Sequence, residues 1–301
     1  MSDDTLPRVA VMGAVAYDVI SKTDKVFEGN GPGLNCKVTA QKEFFGGCAG
    51  NIAYGLRLLK TPCLLLSLAG TEDFRRYAQH LNHGLSGVLS VKGMQCAKAN
   101  IITDPNGTQF TAFSPGPEVD KATWATHLQN QPFGSVDIFV CAPFPIPLMQ
   151  SALEITKASN PNIFNLWVPG QYADSMQADE LRIAIKACDL LVGNTHEIDH
   201  IRRTAPGCLT GKSVIMTDGA RPVRALLSDG NQRTLPTPAV SPVIDPTGCG
   251  DAFVAGLIPT LMQTFDTLDS VRWEQKINAI VRAGIQQAGL CLTQRGSQTL
   301  S

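Results

Sequence analysis

From residue 136 onward, short apolar runs alternate with segments of helical periodicity, and this alternation constrains the fold more than any other feature of the chain. Residues 137–142, 162–167, 190–193 and 213–217 read as strands, and 149–158 and 179–187 as helices among them. Strands this short and continuously apolar are buried on both faces. The pattern therefore predicts a parallel sheet with helices on both sides. Upstream, 8–13 reads as a strand that 14–20 continues, 62–70 as a fully buried strand, and 52–59 as a helix; 279–292 reads as a closing helix. Ligands of such sheets bind at the carboxyl ends of the strands. The segment from Gly13 to Asp18, together with Asn194, Thr217 and Asp245, follows predicted strands and should converge on that edge.

The run Asp245-Pro246-Thr247-Gly248-Cys249-Gly250-Asp251 lies between a short apolar approach and an apolar helical segment that begins with Asp251. Two glycines before a helix allow a tight turn. The amides of Gly248, Cys249 and Gly250 would then face one concavity at the positive end of the helix dipole, which is an anion site. An ordinary helix start needs no such glycines. An acid beside a bound anion repels it unless it has chemistry to perform, and Asp251 is placed to take a proton from an alcohol while the amides hold a phosphoryl group.

A second glycine turn, Gly46-Gly47, precedes the helix that carries Asn51 near its start; by itself it reads as a plain turn with an Asn cap. Asp18 is the sole charge in a long apolar stretch, either a strand-end acid facing water or an acceptor for substrate hydroxyls. Residues 21–43, with Gly29-Asn30-Gly31-Pro32-Gly33 at their centre, are too polar for a core element. Residues 99–113 alternate around Asn106-Gly107, a hairpin signal. Phe110 and Phe113 in that hairpin read as packing residues or, for one of them, as a platform for a nucleobase; Phe113 is taken as the substrate contact.

Together these motifs resemble the ribokinase-like (PfkB) carbohydrate and nucleoside kinases. The family's closing signature D-T-x-G-A-G-D is matched at 245–251, with Pro246 and Cys249 as departures that leave the proposed anion site intact; Gly46-Gly47-x-x-x-Asn51-x-Ala53 matches its first signature. The resemblance implies a single doubly wound α/β domain over 1–301, mainly parallel, with a small β-sheet lid from about 19–45 and 97–115. It implies Asp251 as general base and Gly248, Cys249 and Gly250 as anion hole. Asp18, Gly46, Gly47 and Asn51 become substrate contacts. Asn194-Thr195-His196-Glu197 matches N-x-x-E, which assigns Asn194 to the ATP phosphates and Glu197 to Mg²⁺ through water. Thr217 and Gly219 match the first part of a nucleotide-binding turn whose last glycine is here Pro222. In the turn after 62–70, Asp73 fits the family pattern but Arg76 stands in place of a glycine, and nothing is carried over. A monovalent cation near Asp245 and Thr247 and a homodimer through the lid are further implications. The Gly46-Gly47 segment, the hairpin and the closing Gly296-Ser297-Gln298 look most like the bacterial adenosine kinase branch, which makes the 5′-hydroxyl of adenosine the expected acceptor; a sugar kinase and a non-catalytic binding regulator are the alternatives.

The remaining features exclude other classes. A net charge of −1 without a basic run gives no surface for nucleic acid or anionic membranes. No apolar stretch approaches the ~18 residues of a membrane span, and the acidic start of the chain is not a signal peptide, so a cytoplasmic location is expected. The nine cysteines include no CxxC pair and read as buried thiols. His196-Glu197-Ile198-Asp199-His200 spells a zinc-protease motif, but no later histidine supplies a third ligand. Gly207 to Ser213 resembles a phosphate-binding loop one residue short, and it precedes a strand rather than a helix.

Overall fold

The computed structural model describes residues 6–27, 35–82, 84–266 and 273–299. The N-terminal residues 1–5 and the glycine cluster 29–33 lie outside them. In chain order the strands and helices are β1 (Val9–Met12), β2 (Ala16–Thr23), β3 (Val38–Gly46), α1 (Cys48–Leu58), β4 (Cys63–Gly70), α2 (Phe74–Leu81), β5 (Val88–Val91), β6 (Ala97–Thr103), β7 (Gln109–Ser114) and α3 (Lys121–Gln129). They continue as β8 (Ile138–Cys141), α4 (Ile146–Ser159), β9 (Phe164–Trp167), α5 (Ala178–Ala187), β10 (Leu190–Asn194), α6 (Thr195–Thr204), β11 (Ser213–Asp218), β12 (Arg221–Leu226), β13 (Gln232–Leu235), α7 (Cys249–Asp266) and α8 (Ile277–Leu292).

Nine of these strands form the large sheet, ordered β13-β12-β11-β10-β9-β8-β1-β4-β5. It is parallel from β5 to β11 and antiparallel at the β11–β12–β13 edge. Alternate residues of each strand enter different cores. Val9, Val11, Leu65, Ile138, Val140, Val192 and Ile215 pack with α1, α2, α7 and α8. Ala10, Met12, Leu64, Leu66, Phe139, Cys141, Leu191 and Met216 pack with α3, α4, α5 and α6. Both faces of the strands are thus covered, which is why their sequences run apolar without alternation.

The other four strands form a separate sheet, β3-β2-β6-β7. Its β3 residues 38–43 and all of β7 are exposed, so this sheet contributes little to the core. Asp18, Ala99 and Phe113 lie in one row across it, with Phe44 on the other side of Asp18.

Several sequence-based expectations are corrected. Residues 14–20 do not continue β1: the chain leaves the large sheet at Gly13, whose Cβ position is crowded by Ala49 and Ala142, and enters the small sheet as β2. Asp18 consequently sits inside a strand rather than at a strand end. The approach to Asp245 is not a strand either; Val243 and Ile244 are 58% and 50% exposed, and the Ile244 and Asp245 amides donate to the Leu292 carbonyl at 2.8 and 3.4 Å. The β12–β13 hairpin was not anticipated, because its exposed polar residues hide the period-two pattern. Helices α1 and α7 begin at Cys48 and Cys249, earlier than their apolar periodicity suggested. The cysteines are all free; five are buried, but Cys36 is exposed and Cys48, Cys208 and Cys249 are partly so. Among the described residues no helix is long and apolar enough to cross a membrane.

Candidate active site

The loop before α7 is held from both ends. Asp245 accepts the Thr247 amide at 2.9 Å on one carboxylate oxygen and the Gly296 amide at 3.0 Å on the other. Partial burial opposes ionisation of Asp245, but these bonds, with Arg295 nearby, hold its carboxyl below the usual range. Gly248 turns the chain with φ at 77°, and a Cβ there would strike Ser297 of the C-terminal loop. The Cys249 amide donates to the Pro246 carbonyl at 3.2 Å and the Ala252 amide to the Gly248 carbonyl at 2.8 Å. Of the three amides expected to form an anion hole at 248–250, that of Cys249 is thus engaged in the turn. Cys249 N–H closes the turn, and at this helix start the amides of Gly248, Gly250 and Asp251 have no backbone acceptor among the described residues. Unspent amides at the start of an 18-residue helix are the kind of group that can hold an anion.

These amides open on a cavity of about 450 Å³. Gly248, Cys249, Gly250 and Asp251 line it together with Asn194, Glu197 and Thr217. Pro143, Val168 and Thr217 come from the ends of β8, β9 and β11, so the cavity occupies the carboxyl edge of the parallel sheet.

Asp251 faces this cavity and accepts a hydrogen bond from Asn51 Nδ2 at 2.8 Å. Burial pushes its carboxyl up to about 7, with Asp18 and Glu197 adding to the push, while hydrogen bonds from Asn51 and Cys48 act against it. A carboxylate that titrates near neutrality is matched to accepting a proton during catalysis. Asn51 is fixed in turn: its Oδ1 accepts Ser297 Oγ and Gln298 Nε2, both at 2.8 Å.

Asp18 lies beside Gly46 so closely that any Cβ at 46 would land on its carboxylate. Burial raises Asp18 to about 6, and Asp245 contributes. At Gly47, with φ at 86°, a Cβ would come within 2.5 Å of the Ala14 carbonyl. That same carbonyl accepts the Ala49 and Gly50 amides at 3.2 and 3.3 Å, so the start of α1 is satisfied internally. Phe113 is 50% exposed in the row of Asp18.

Asn194 and Glu197 form a reciprocal capping box at the start of α6. Asn194 Oδ1 accepts the Glu197 amide at 2.9 Å, while Glu197 accepts the Asn194 amide at 3.1 Å and Asn194 Nδ2 at 2.6 Å. Burial raises the Glu197 carboxyl, and Asp174 adds to it. His196 and His200 each lie 3.5 Å from Asp174, and among the described residues no group of His, Cys, Asp or Glu is arranged as a direct metal site. Gly207 and Gly211 lie in the turn between α6 and β11, away from the cavity.

Seven of the residues singled out in the sequence therefore line one cavity: Asn194, Glu197, Thr217, Gly248, Cys249, Gly250 and Asp251. Asn51 joins them through Asp251, and Gly46 adjoins Asp18. Gly219 is exposed and is not among the lining residues. Sequence reasoning missed Cys48, Gly170 and Asp174 at the cavity wall. The Pro169-Gly170 pair directly after β9 was the available signal for that segment.

Comparison with known proteins gives the same frame. The chain is 23% identical over 277 residues to a nucleoside kinase of Methanocaldococcus jannaschii, covering 87% of this chain and 85% of the relative. It is 24% identical over 299 residues to an ATP-dependent ribose-1-phosphate kinase of Halopiger xanaduensis, covering 93% and 94%. The structure superposes on the Burkholderia thailandensis nucleoside kinase in complex with inosine with a TM-score of 0.79 at 24% identity, covering 97% of this chain and 92% of that one. A profile of the pfkB family carbohydrate kinases matches residues 6–301, and the chain belongs to that family of phosphotransferases acting on hydroxyl groups.

Proposed function

We propose that this kinase transfers the γ-phosphoryl group of ATP to the 5′-hydroxyl of a nucleoside, with adenosine as the preferred acceptor. The observation that carries the chemistry is Asp251, raised to about 7 and hydrogen-bonded to Asn51, beside the unspent amides at the start of α7. Asp251 removes the proton of the attacking hydroxyl. The amides of Gly248 and Gly250 hold the migrating phosphoryl group, each such donor contributing about 3 kcal/mol to transition-state stabilisation. Asn194 and Thr217, which line the same cavity, take the ATP phosphates. Gly219 is assigned to the nucleotide as well, at the exposed turn after β11.

Mg²⁺ supplies neutralisation of the phosphate charge. Glu197 fits that role through water, since both its oxygens already accept bonds from Asn194 and no direct ligand set surrounds it among the described residues. A monovalent cation beside Asp245 and Thr247 belongs to the same reading, since the bonds that Asp245 accepts hold its carboxyl in the charged form.

Asp18, with Gly46 clearing space beside its carboxylate and Gly47 holding the turn against Ala14, accepts the ribose hydroxyls. Phe113, in the same row of the small sheet and half exposed, stacks on the base. That sheet serves as the lid that excludes water from the reaction, and its exposed residues, Phe110 and Val38 among them, pair with a second copy of the chain. The nucleoside kinases among the relatives support a nucleoside acceptor. A sugar acceptor is the second reading, supported by the similarity to a ribose-1-phosphate kinase over nearly its full length.

Coupled ADP-release assays with adenosine, other nucleosides, ribose and fructose separate the two readings. Turnover confined to free sugars overturns the nucleoside assignment. The same assay in K⁺ against tetramethylammonium tests the cation, and sedimentation of the same preparation tests the dimer.

A further inference from the structure

The C-terminal loop reaches the candidate base through a chain of buried hydrogen bonds. Gln298 is 3% exposed. Its Nε2 donates to Asn51 Oδ1 at 2.8 Å and to the Tyr77 hydroxyl at 2.7 Å, and Tyr77 donates to the Gly46 carbonyl at 2.7 Å. Ser297 Oγ donates to the same Asn51 oxygen at 2.8 Å. With two donors on its oxygen, the Asn51 amide has one orientation left, which turns its NH₂ toward Asp251. The reversed amide would set a carbonyl against a carboxylate and two donors against an NH₂ group. The same loop supports the anion site, because Gly296 N–H binds Asp245 and Ser297 backs Gly248.

We propose that Gln298 and Ser297 are positioning residues for phosphoryl transfer: they lock the Asn51 amide with its N–H on Asp251 and, through Tyr77, tie that contact to Gly46 where the small sheet meets α1. The inference rests on the reading of Asp251 as the base. Methionine fills a similar volume without the Nε2–H donors, while Asn51 Oδ1 keeps Ser297 Oγ and the Tyr77 hydroxyl keeps the Gly46 carbonyl, so loss of Gln298 should affect catalysis more than folding.

The test compares Gln298→Met and Ser297→Ala with the wild type in kcat/KM for the nucleoside from pH 5 to 9, beside thermal unfolding. The Asn51 hydrogen bond holds the Asp251 carboxyl down, so loosening it should raise the pH at which the base protonates. Cys48 on α1, Asp18 on β2, Glu197 on α6, Cys249 on α7 and Cys291 on α8 also face Asp251, and neither variant alters them. For Gln298→Met the acid limb should move up by about one pH unit and kcat should fall about tenfold, with KM for ATP and the unfolding temperature little changed. Ser297→Ala should give a smaller shift in the same direction, and it keeps the inference testable should Gln298→Met fold poorly. An unmoved acid limb, or a loss equal at every pH, overturns the positioning role. Full turnover in Asp251→Asn would instead overturn the base itself, so the two failures are distinguishable.

Discussion

Replacing Asp251 with Asn removes the charge and the proton-accepting oxygen while keeping the shape and a carbonyl for the Asn51 N–H to bond. General-base assistance contributes about 10²- to 10⁴-fold, so kcat should fall by that factor. ATP should still bind, because the free amides, Asn194 and Thr217 are untouched. The same substitution has a stability signature. The wild-type carboxyl titrates at about 7 in the fold against an ordinary 3.8, so folding takes up a proton between those pH values, and the stability of the wild type falls as pH rises through that window. The difference corresponds to an upper bound of about 4 kcal/mol, and access of water from the cavity brings the expected value to about 2 kcal/mol. At about 2.1 cal/mol/K per residue over 301 residues, Asp251→Asn should therefore unfold about 3 °C higher than the wild type at pH 8, with the gap closing near pH 4. ADP-release kinetics, ATP titration calorimetry and scanning calorimetry at two pH values read all three quantities. Near-wild-type kcat would remove Asp251 from the base role. An unchanged unfolding temperature at pH 8 would show that the carboxylate is not desolvated as argued.

Two further substitutions probe the rest of the cavity. Gly248→Ala forces a side chain to φ 77° and against Ser297, so it should cost about 1–3 kcal/mol of stability and at least about 10²-fold in kcat; a folded variant with ordinary turnover would sink the anion-loop argument. Phe113→Ala alters a half-exposed residue, so stability should change by about 0.5 kcal/mol or less, whereas loss of a base stack should raise KM for the nucleoside about tenfold and leave KM for ATP unchanged. Equal KM values for the nucleoside in both proteins would reassign Phe113 to packing.

The parallel core was legible because its physics is local: β8 is apolar and buried throughout, β4 is buried throughout and apolar apart from Ser67, and β10 is apolar and buried up to the exposed Asn194 at its end. The two glycine turns were legible for a similar reason, since Gly47 and Gly248 take backbone angles that other residues resist. The β12–β13 edge was not, because its exposed polar residues leave no clear period-two pattern. Residues 14–20 were misplaced because an apolar run does not say which sheet it joins. That choice was made at Gly13, where Ala49 and Ala142 close in around the backbone.

Within the site, sequence alone determined the chemical inventory: a carboxylate beside unspent amides at a helix start, and an Asn following a double glycine. Only the tertiary structure decided which groups act on one another. Asn51 meets Asp251 across 200 positions of chain and Gln298 meets Asn51 across 247. The raised titration of Asp251 depends on burial that several distant segments create jointly. Burial and hydrogen-bond geometry are properties of the assembled chain, so no local pattern encodes them. The amide of Cys249 makes the point on a small scale: the motif offered it to an anion, and the folded turn gave it to Pro246.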